Sequence, residues 1–257
     1  MTASKNVIDA ILSLSLEIEL YLVDNSPTDK LKGLSVDSRV IYIHNPTNPG
    51  FGVAHNIAIK KAIGCGSRYH FIINPDIELK KSVLPMIEYM NKHSDVGMMM
   101  PKVLNKDGSI QNLPKLLPQP FWIFRRKLSR IDPFSSEFMN KYELRSVPKN
   151  QIYDVPILSG CFTLLRLEAI KEVGMYDGNF FMYFEDFDLS RRMHKKYKTL
   201  YFPEVSVIHG YEGGANKSWK LFKIFIQSMI TYFNKWGWFF DKERKQFNNA
   251  TLAQFKK

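Results

Sequence analysis

The sequence predicts an α/β fold with a parallel sheet, and three observations carry that expectation. Short apolar segments recur at 17–23, 40–43, 69–73 and 96–100. The first three end in turn-forming clusters, Asp24-Asn25-Ser26-Pro27, His44-Asn45-Pro46 and Asn74-Pro75-Asp76. Stretches of helical periodicity lie between them. In such sheets ligands bind beyond the carboxyl ends of the strands, so polar residues there are the first candidates for function. At 257 residues and 45% hydrophobic, the chain can bury one sizeable core.

Residues 6–16 place Val7, Ala10, Ile11 and Leu14 on one helical face. The strand 17–23 follows, and Asp24 at its end suits either an Asx turn or hydrogen bonds from a nucleobase. In 45–64, Gly50 and Gly52 suggest a loop of approachable amides leading into a helix with Ile57, Ile59, Ala62 and Ile63. Amides at a helix start suit phosphate oxygens. After strand 69–73, Pro75 bends the chain and can turn Asp76 into a crevice. One carboxylate plus substrate diphosphate oxygens is a common way to hold Mg²⁺ or Mn²⁺. A helix over 82–92 and a strand over 96–100 complete this half.

Segment 105–155 is less regular. In 116–134, and at Lys115, basic residues (Lys115, Arg125, Arg126, Lys127, Arg130) alternate with Leu116, Leu117, Phe121, Trp122, Ile123 and Phe124. That mixture suits a lipid surface or lipid-linked acceptor, or equally a loop packing its aromatics on its own domain. Next come Ser159-Gly160-Cys161, where Gly160 can admit a close backbone approach, and an aromatic run ending in Glu185-Asp186, with Asp188 beyond. Carboxylates beside aromatic walls lose hydration and can serve as a general base; the structural alternative is that Asp186 or Asp188 caps a helix beginning near Leu189. Two short strands are expected at 199–202 and 205–209, the second ending in His209. Gly213-Gly214 suit a closing loop. From Lys217 onward, Trp219, Phe222, Ile226, Met229 and Phe233 form an apolar stripe, and nine Lys/Arg face two Asp/Glu. Such a segment suits partial docking with the remainder on an interfacial plane.

Lys and Arg outnumber Asp and Glu by 36 to 25, a net charge of +11, which favours anionic partners. Cys65 and Cys161 form neither a disulfide framework nor a metal spacing and fit a reducing cytosol. No basic-then-apolar stretch opens the sequence, and no uncharged apolar run reaches about 18 residues.

The stretch SGCFTLLRLEAIKEVGMYDGNFFMYFEDFDLSRRMHKKYKTLYFPEVSVIHGYEGG (159–214), with GFGVAHNIAI (50–59) and Asn-Pro-Asp (74–76), resembles family 2 glycosyltransferases of the GT-A fold. The likeness is to the bacterial rhamnosyltransferase-type branch and runs from about Ile18 to His209. It implies a mixed nucleotide-sugar-transferase sheet in a catalytic domain over 1–215; the residue pattern sets 216–257 apart as a basic, aromatic helical tail suited to a membrane surface. The likeness implies Asp186, paired with Glu185, as the base that deprotonates the acceptor. Asp24, Asn25, Ser26, Gly52, Asn56, Asn74, Asp76 and Gly160 would contact the nucleotide-sugar, and Asp76 with His209 would bind Mg²⁺ or Mn²⁺. Asn74 replaces the first acid of the family's Asp-x-Asp motif. The expected activity is inverting sugar transfer, with rhamnose from a dTDP donor as one option, onto a lipid-linked surface polysaccharide at the inner face of the plasma membrane. The family's hydrophobic first strand has no full counterpart after Met1, so the first strand is expected to be missing or truncated. The competing expectation is an inactive relative that keeps nucleotide or membrane affinity; nucleic-acid binding ranks last, because no recognition motif is present.

Overall fold

The computed structural model describes residues 2–123, 135–210 and 218–256. Among these, α1 (Thr2–Leu12) buries Val7 and Ile8 and packs on β4. The strands β1 (Leu20–Asp24) and β2 (Val40–His44) pair in parallel as a separate two-stranded sheet. Helix α2 (Phe51–Gly64) then leads to β3 (Tyr69–Ile73), β4 (Ile77–Leu79), α3 (Leu84–Lys92) and β5 (Val96–Leu104). There follow α4 (Ser135–Tyr142), β6 (Tyr153–Asp154), β7 (Phe162–Arg166), α5 (Leu167–Val173) and α6 (Glu185–His194). Last come β8 (Lys198–His209), α7 (Trp219–Trp236) and α8 (Lys242–Ala253).

The main sheet runs β3-β7-β5-β8-β4, with β6 also on β8. It is mixed, as the family resemblance implies, and not the parallel sheet read from the strand rhythm alone. β5 and β8 are parallel, but β7 enters antiparallel between β3 and β5, and β4 and β6 pair antiparallel with β8. Local periodicity carries no record of strand direction, because direction depends on the crossovers between strands. Among the described residues no strand joins β1 to β3, and α2 packs across both pieces. The two strands expected at 199–202 and 205–209 are one strand. The register jumps from Pro101↔Phe202 to Lys102↔Ser206, so a bulge around Pro203 absorbs the interruption.

The core lies between this sheet and its helices. β7 is buried along its whole length, and Met98, Met99 and Met100 on β5 are fully covered. The C-terminal helices share that core. Met229, Tyr232 and Phe233 of α7 are buried, as are Arg244, Asn248 and Thr251 of α8, whereas Trp219 at the start of α7 is 74% exposed. The apolar stripe of α7 therefore docks at its C-terminal end and faces solvent at the other.

The basic-aromatic stretch also divides. Lys115, Leu116, Leu117, Trp122 and Ile123 are buried, and Phe121 is exposed. Asn248 closes the turn there, accepting from Leu117 N at 2.7 Å and donating to Leu117 O at 3.0 Å. Lys115 to Ile123 thus belong mainly to the core rather than to a lipid-facing surface. Phe124, Arg125, Arg126, Lys127 and Arg130 lie outside the described residues, as do Gly213 and Gly214.

Candidate active site

Helix α6 begins at Glu185, four residues earlier than the sequence suggests, and no side chain caps it. Instead the chain enters through two consecutive left-handed residues, Tyr183 at φ 71° and Phe184 at φ 63°. Bulky side chains avoid this region, so the turn is strained and must be held by its surroundings. It swings Glu185 and Asp186 into the first turn, where Asp186 Oδ1 accepts from Phe187 N at 2.9 Å. Asp188 does not cap the helix. It is fully buried and bonds Arg192 Nε at 2.8 Å, Trp236 Nε1 at 2.9 Å and Lys235 Nζ at 2.8 Å.

Asp186 Oδ2 accepts from Gly160 N at 3.2 Å. A Cβ on Gly160 would stand 3.1 Å from the Phe51 ring and 3.5 Å from Asp186 Cβ, so glycine permits this approach. Burial raises the pKa of Asp186, although the Gly160 and Phe187 amides and the Lys115 ammonium pull it back. Burial, then the Asp186 charge, pushes Glu185 up to about 8. Glu185 Oε2 and the Tyr176 hydroxyl are buried with no hydrogen-bond partner among the described residues. Lys115 is 6% exposed, and its Nζ donates to the carbonyls of Asn112 at 2.8 Å and Leu113 at 3.4 Å. Its backbone pairs with Ile157, just ahead of Ser159-Gly160. Sequence reading missed Lys115 as part of this pocket, because a lysine beside Arg-rich sequence resembles a surface residue.

The second carboxylate approaches the same segment from β3. Ile73 pairs with Phe162, Asn74 N donates to Cys161 O at 2.9 Å, and Asp76 follows two residues later. Asp76 and Asp186 therefore flank Cys161. Burial pushes the Cys161 thiol up to about 12, with both carboxylates among the contributing charges. Asp76 is 40% exposed at its side chain, and its Oδ1 lies 3.5 Å from His209 Nε2. Asn74 Nδ2 reaches His209 Nε2 at 3.4 Å.

This donor set fits a hard divalent cation in part. A carboxylate and an imidazole nitrogen converge, and the other ring nitrogen of His209 meets Gln111 Oε1 at 3.1 Å, as ligating histidines commonly bind a second partner. Among the described residues no group of three or more His, Cys, Asp or Glu gathers for a metal, so further ligands would come from substrate oxygens or water.

The remaining candidates are held by the protein itself. Asp24 forms an Asx turn, with Oδ1 accepting from Ser26 N at 2.9 Å and Ser26 Oγ at 2.5 Å, and Oδ2 accepting from Tyr42 at 2.8 Å. Burial alone would raise its pKa, but these bonds outweigh burial and lower it. Asn25 Oδ1 accepts from Asn45 at 3.0 Å. Gly52 lies inside α2 rather than in a loop, and a Cβ there would meet Tyr176 Cβ at 2.8 Å. Phe51 N, the first amide of α2, donates to Phe181 O at 2.9 Å. Asn56 clamps Tyr176, donating to its carbonyl at 2.8 Å and accepting from its amide at 3.0 Å.

Comparison with known proteins agrees with this architecture. Residues 5–174 match the model for "Glycosyl transferase family 2". The chain is 26% identical over 225 residues to the N-acetylglucosaminyl-diphospho-decaprenol L-rhamnosyltransferase of Mycobacterium tuberculosis, covering 78% of this chain and 69% of that protein. It is 27% identical to the rhamnosyltransferase WbbL of Escherichia coli K12, covering 71% and 69%. A crystal structure of GalNAc-T7 with UDP, GalNAc and Mn²⁺ superposes with a TM-score of 0.56 at 16% identity, over 79% of this chain and 40% of that one. This last likeness concerns the fold, which is GT-A with a mixed sheet. On the extent of the family match, the chain belongs to glycosyl transferase family 2.

Proposed function

We propose that this transferase moves a sugar from a nucleotide-sugar donor to a growing, lipid-linked glycan, with inversion at the anomeric carbon. The observation that carries the reading is the pair of carboxylates flanking Cys161: Asp186 desolvated at the start of α6, and Asp76 half-exposed beside His209. Desolvation raises the proton affinity of Asp186, the change a general base needs. Asp186 accepts the proton of the acceptor hydroxyl, the hydroxyl oxygen bonds to the anomeric carbon, and the bond to the nucleoside diphosphate breaks. The Gly160 and Phe187 amides, and with them the Lys115 ammonium, oppose the rise from burial by favouring the carboxylate. A Mg²⁺ or Mn²⁺ ion held by Asp76 and His209 would supply neutralising charge to the departing diphosphate.

The printed activities of the M. tuberculosis and E. coli relatives favour rhamnose, from a dTDP donor, as the first sugar to test. The diphospho-decaprenol in the M. tuberculosis name favours a lipid-linked acceptor. Among the described residues no helix is long and apolar enough to cross a membrane. Exposed Trp219, Phe239 and Phe240 beside the basic C-terminal segment favour peripheral contact with an anionic membrane, on its cytoplasmic face. The break between β1 and β3 favours a second reading, a binding relative without turnover.

One experiment separates the two. Asp186→Asn keeps the shape of the pocket and removes the base, so transfer should fall by roughly 10²–10⁴-fold while calorimetric donor binding persists. Full transfer by the variant removes Asp186 from the chemistry. Donor binding without transfer in the unmutated chain establishes the second reading.

A further inference from the structure

We infer that Gln111 is a positioning residue that sets the tautomer of His209, and that the turn over Asn105–Gln111 decides which ring nitrogen faces Asp76. The turn is a tight connection off β5. Leu104 bridges Ile110, Asn105 N donates to Ser109 O at 2.8 Å, and Gly108 takes φ +83°.

Within it the side chains form a hydrogen-bond relay with one permitted direction. The relay starts at Asp107, an ionised carboxylate that accepts and never donates. Its Oδ1 accepts the Ser109 hydroxyl at 2.6 Å and the Ser109 amide at 2.9 Å. These bonds hold Asp107 below the usual carboxylate range, which keeps the anchor ionised. With its proton committed, Ser109 Oγ can only accept, and Asn105 Nδ2 donates to it at 2.8 Å. The Asn105 amide is thereby oriented, and its Oδ1 accepts from Gln111 Nε2 at 2.8 Å. The same Nε2 also donates to the carbonyl of His209 at 3.0 Å.

Gln111 is thus oriented twice over, with Oε1 turned to His209 Nδ1 at 3.1 Å. An amide oxygen is an acceptor only, so the imidazole hydrogen sits on Nδ1. Nε2 then presents its lone pair where Asp76 Oδ1 lies 3.5 Å away and Asn74 Nδ2 approaches at 3.4 Å. The opposite tautomer would aim an N–H at Asp76 and occupy the carboxylate with a hydrogen bond. The relay keeps both groups in the electron-donating form that a divalent cation requires.

The inference rests on reading Asp76 and His209 as cation ligands, but the tautomer can be measured without any cation. Long-range ¹H–¹⁵N spectra of labelled protein at mildly alkaline pH, with His209→Gln for assignment, should place the hydrogen on Nδ1. Gln111→Leu should shift His209 toward the Nε2–H form, and Gln111→Glu, which keeps an acceptor, should retain Nδ1–H. Ser109→Ala breaks the relay two steps earlier at an exposed position and should loosen the preference if Gln111→Leu fails to fold. Mn²⁺ affinity, read by electron paramagnetic resonance without donor, should weaken about 10-fold in Gln111→Leu and be kept in Gln111→Glu. A hydrogen on Nε2 in the unmutated protein, or an unchanged tautomer in Gln111→Leu, overturns the relay. An Nδ1–H tautomer with Mn²⁺ affinity indifferent to every variant sustains the relay and overturns the cation reading alone.

Discussion

Replacing Arg191 with methionine would show how far the carboxylate helix depends on the last forty residues. Arg191 stands on α6 with 2% of its side chain exposed, and its partner Asp241, which caps α8, has 3%. The guanidinium donates to both Asp241 oxygens at 2.7 Å, reaches Glu243 at 3.2 Å, and lies 4.2 Å from the centre of the Trp236 ring. An exposed pair would contribute about 0–1 kcal/mol. Removing one partner of a buried pair costs about 3–5 kcal/mol, because the other charge is stranded. Asp241 would keep the Arg244 amide at 2.9 Å and the Arg244 guanidinium at 4.0 Å, so the lower end of that range, ~3 kcal/mol, is expected. For a chain of this size each kcal/mol is worth about 2–4 °C, giving a melting point ~6–12 °C lower. Urea unfolding followed by circular dichroism measures the loss. Adding Asp241→Leu removes the stranded charge and should recover much of it. A loss within about 1 kcal/mol for Arg191→Met would refute the view that this pair fastens the C-terminal helices to the site.

Two further outcomes follow from charge and exposure. The folded chain keeps Glu185 protonated up to about 8, against an ordinary 4.5, so the unfolded chain releases this proton first as pH rises and stability falls between those values. Glu185→Gln should abolish that slope and be the more stable protein at the upper end; parallel pH–stability curves for the two proteins would show Glu185 already ionised near neutrality. Phe239 and Phe240 are 81% and 99% exposed. Changing both to serine should weaken sedimentation with anionic vesicles by ~10-fold or more, given about 1.5–3 kcal/mol for burying each side chain. Unaltered vesicle binding would exclude this corner as the membrane contact.

Strand positions were legible because apolar runs mark burial wherever a strand has two covered faces. The run 69–73 became β3 with the same bounds, and 96–100 became the start of β5. Strand direction was not legible, and neither was the role of residues whose partners are remote in sequence. Gly52 reads as loop glycine until Tyr176 is seen against it. Lys115 reads as surface until Asn112, Leu113 and the pocket of Asp186 enclose it. Gln111 carries no pattern at all, since its meaning lies in His209, 98 positions away. The Asp186 pocket was legible as a motif, but its electrostatics were not. Those depend on how completely Phe51, Gly160 and Tyr176 close around it.

The entry to α6 shows why the C-terminal helices belong to the site's physics. Two left-handed residues in succession cost about 1–3 kcal/mol each, and they persist only where packing leaves the turn no alternative. That packing comes largely from α7. Phe184 meets Phe225 at 5.4 Å and Tyr232 at 5.5 Å between ring centroids, and Ser228 Oγ donates to Met182 O at 2.8 Å, one residue before the strained pair. Trp236 and Lys235 then hold Asp188 on the next turn. If α7 were released, the turn could relax toward ordinary backbone angles, and relaxation would rotate Glu185 and Asp186 away from Gly160. The orientation of the proposed base is therefore set by a helix that forms no hydrogen bond, among the described residues, with Asp186 or with the proposed donor crevice at Asp76.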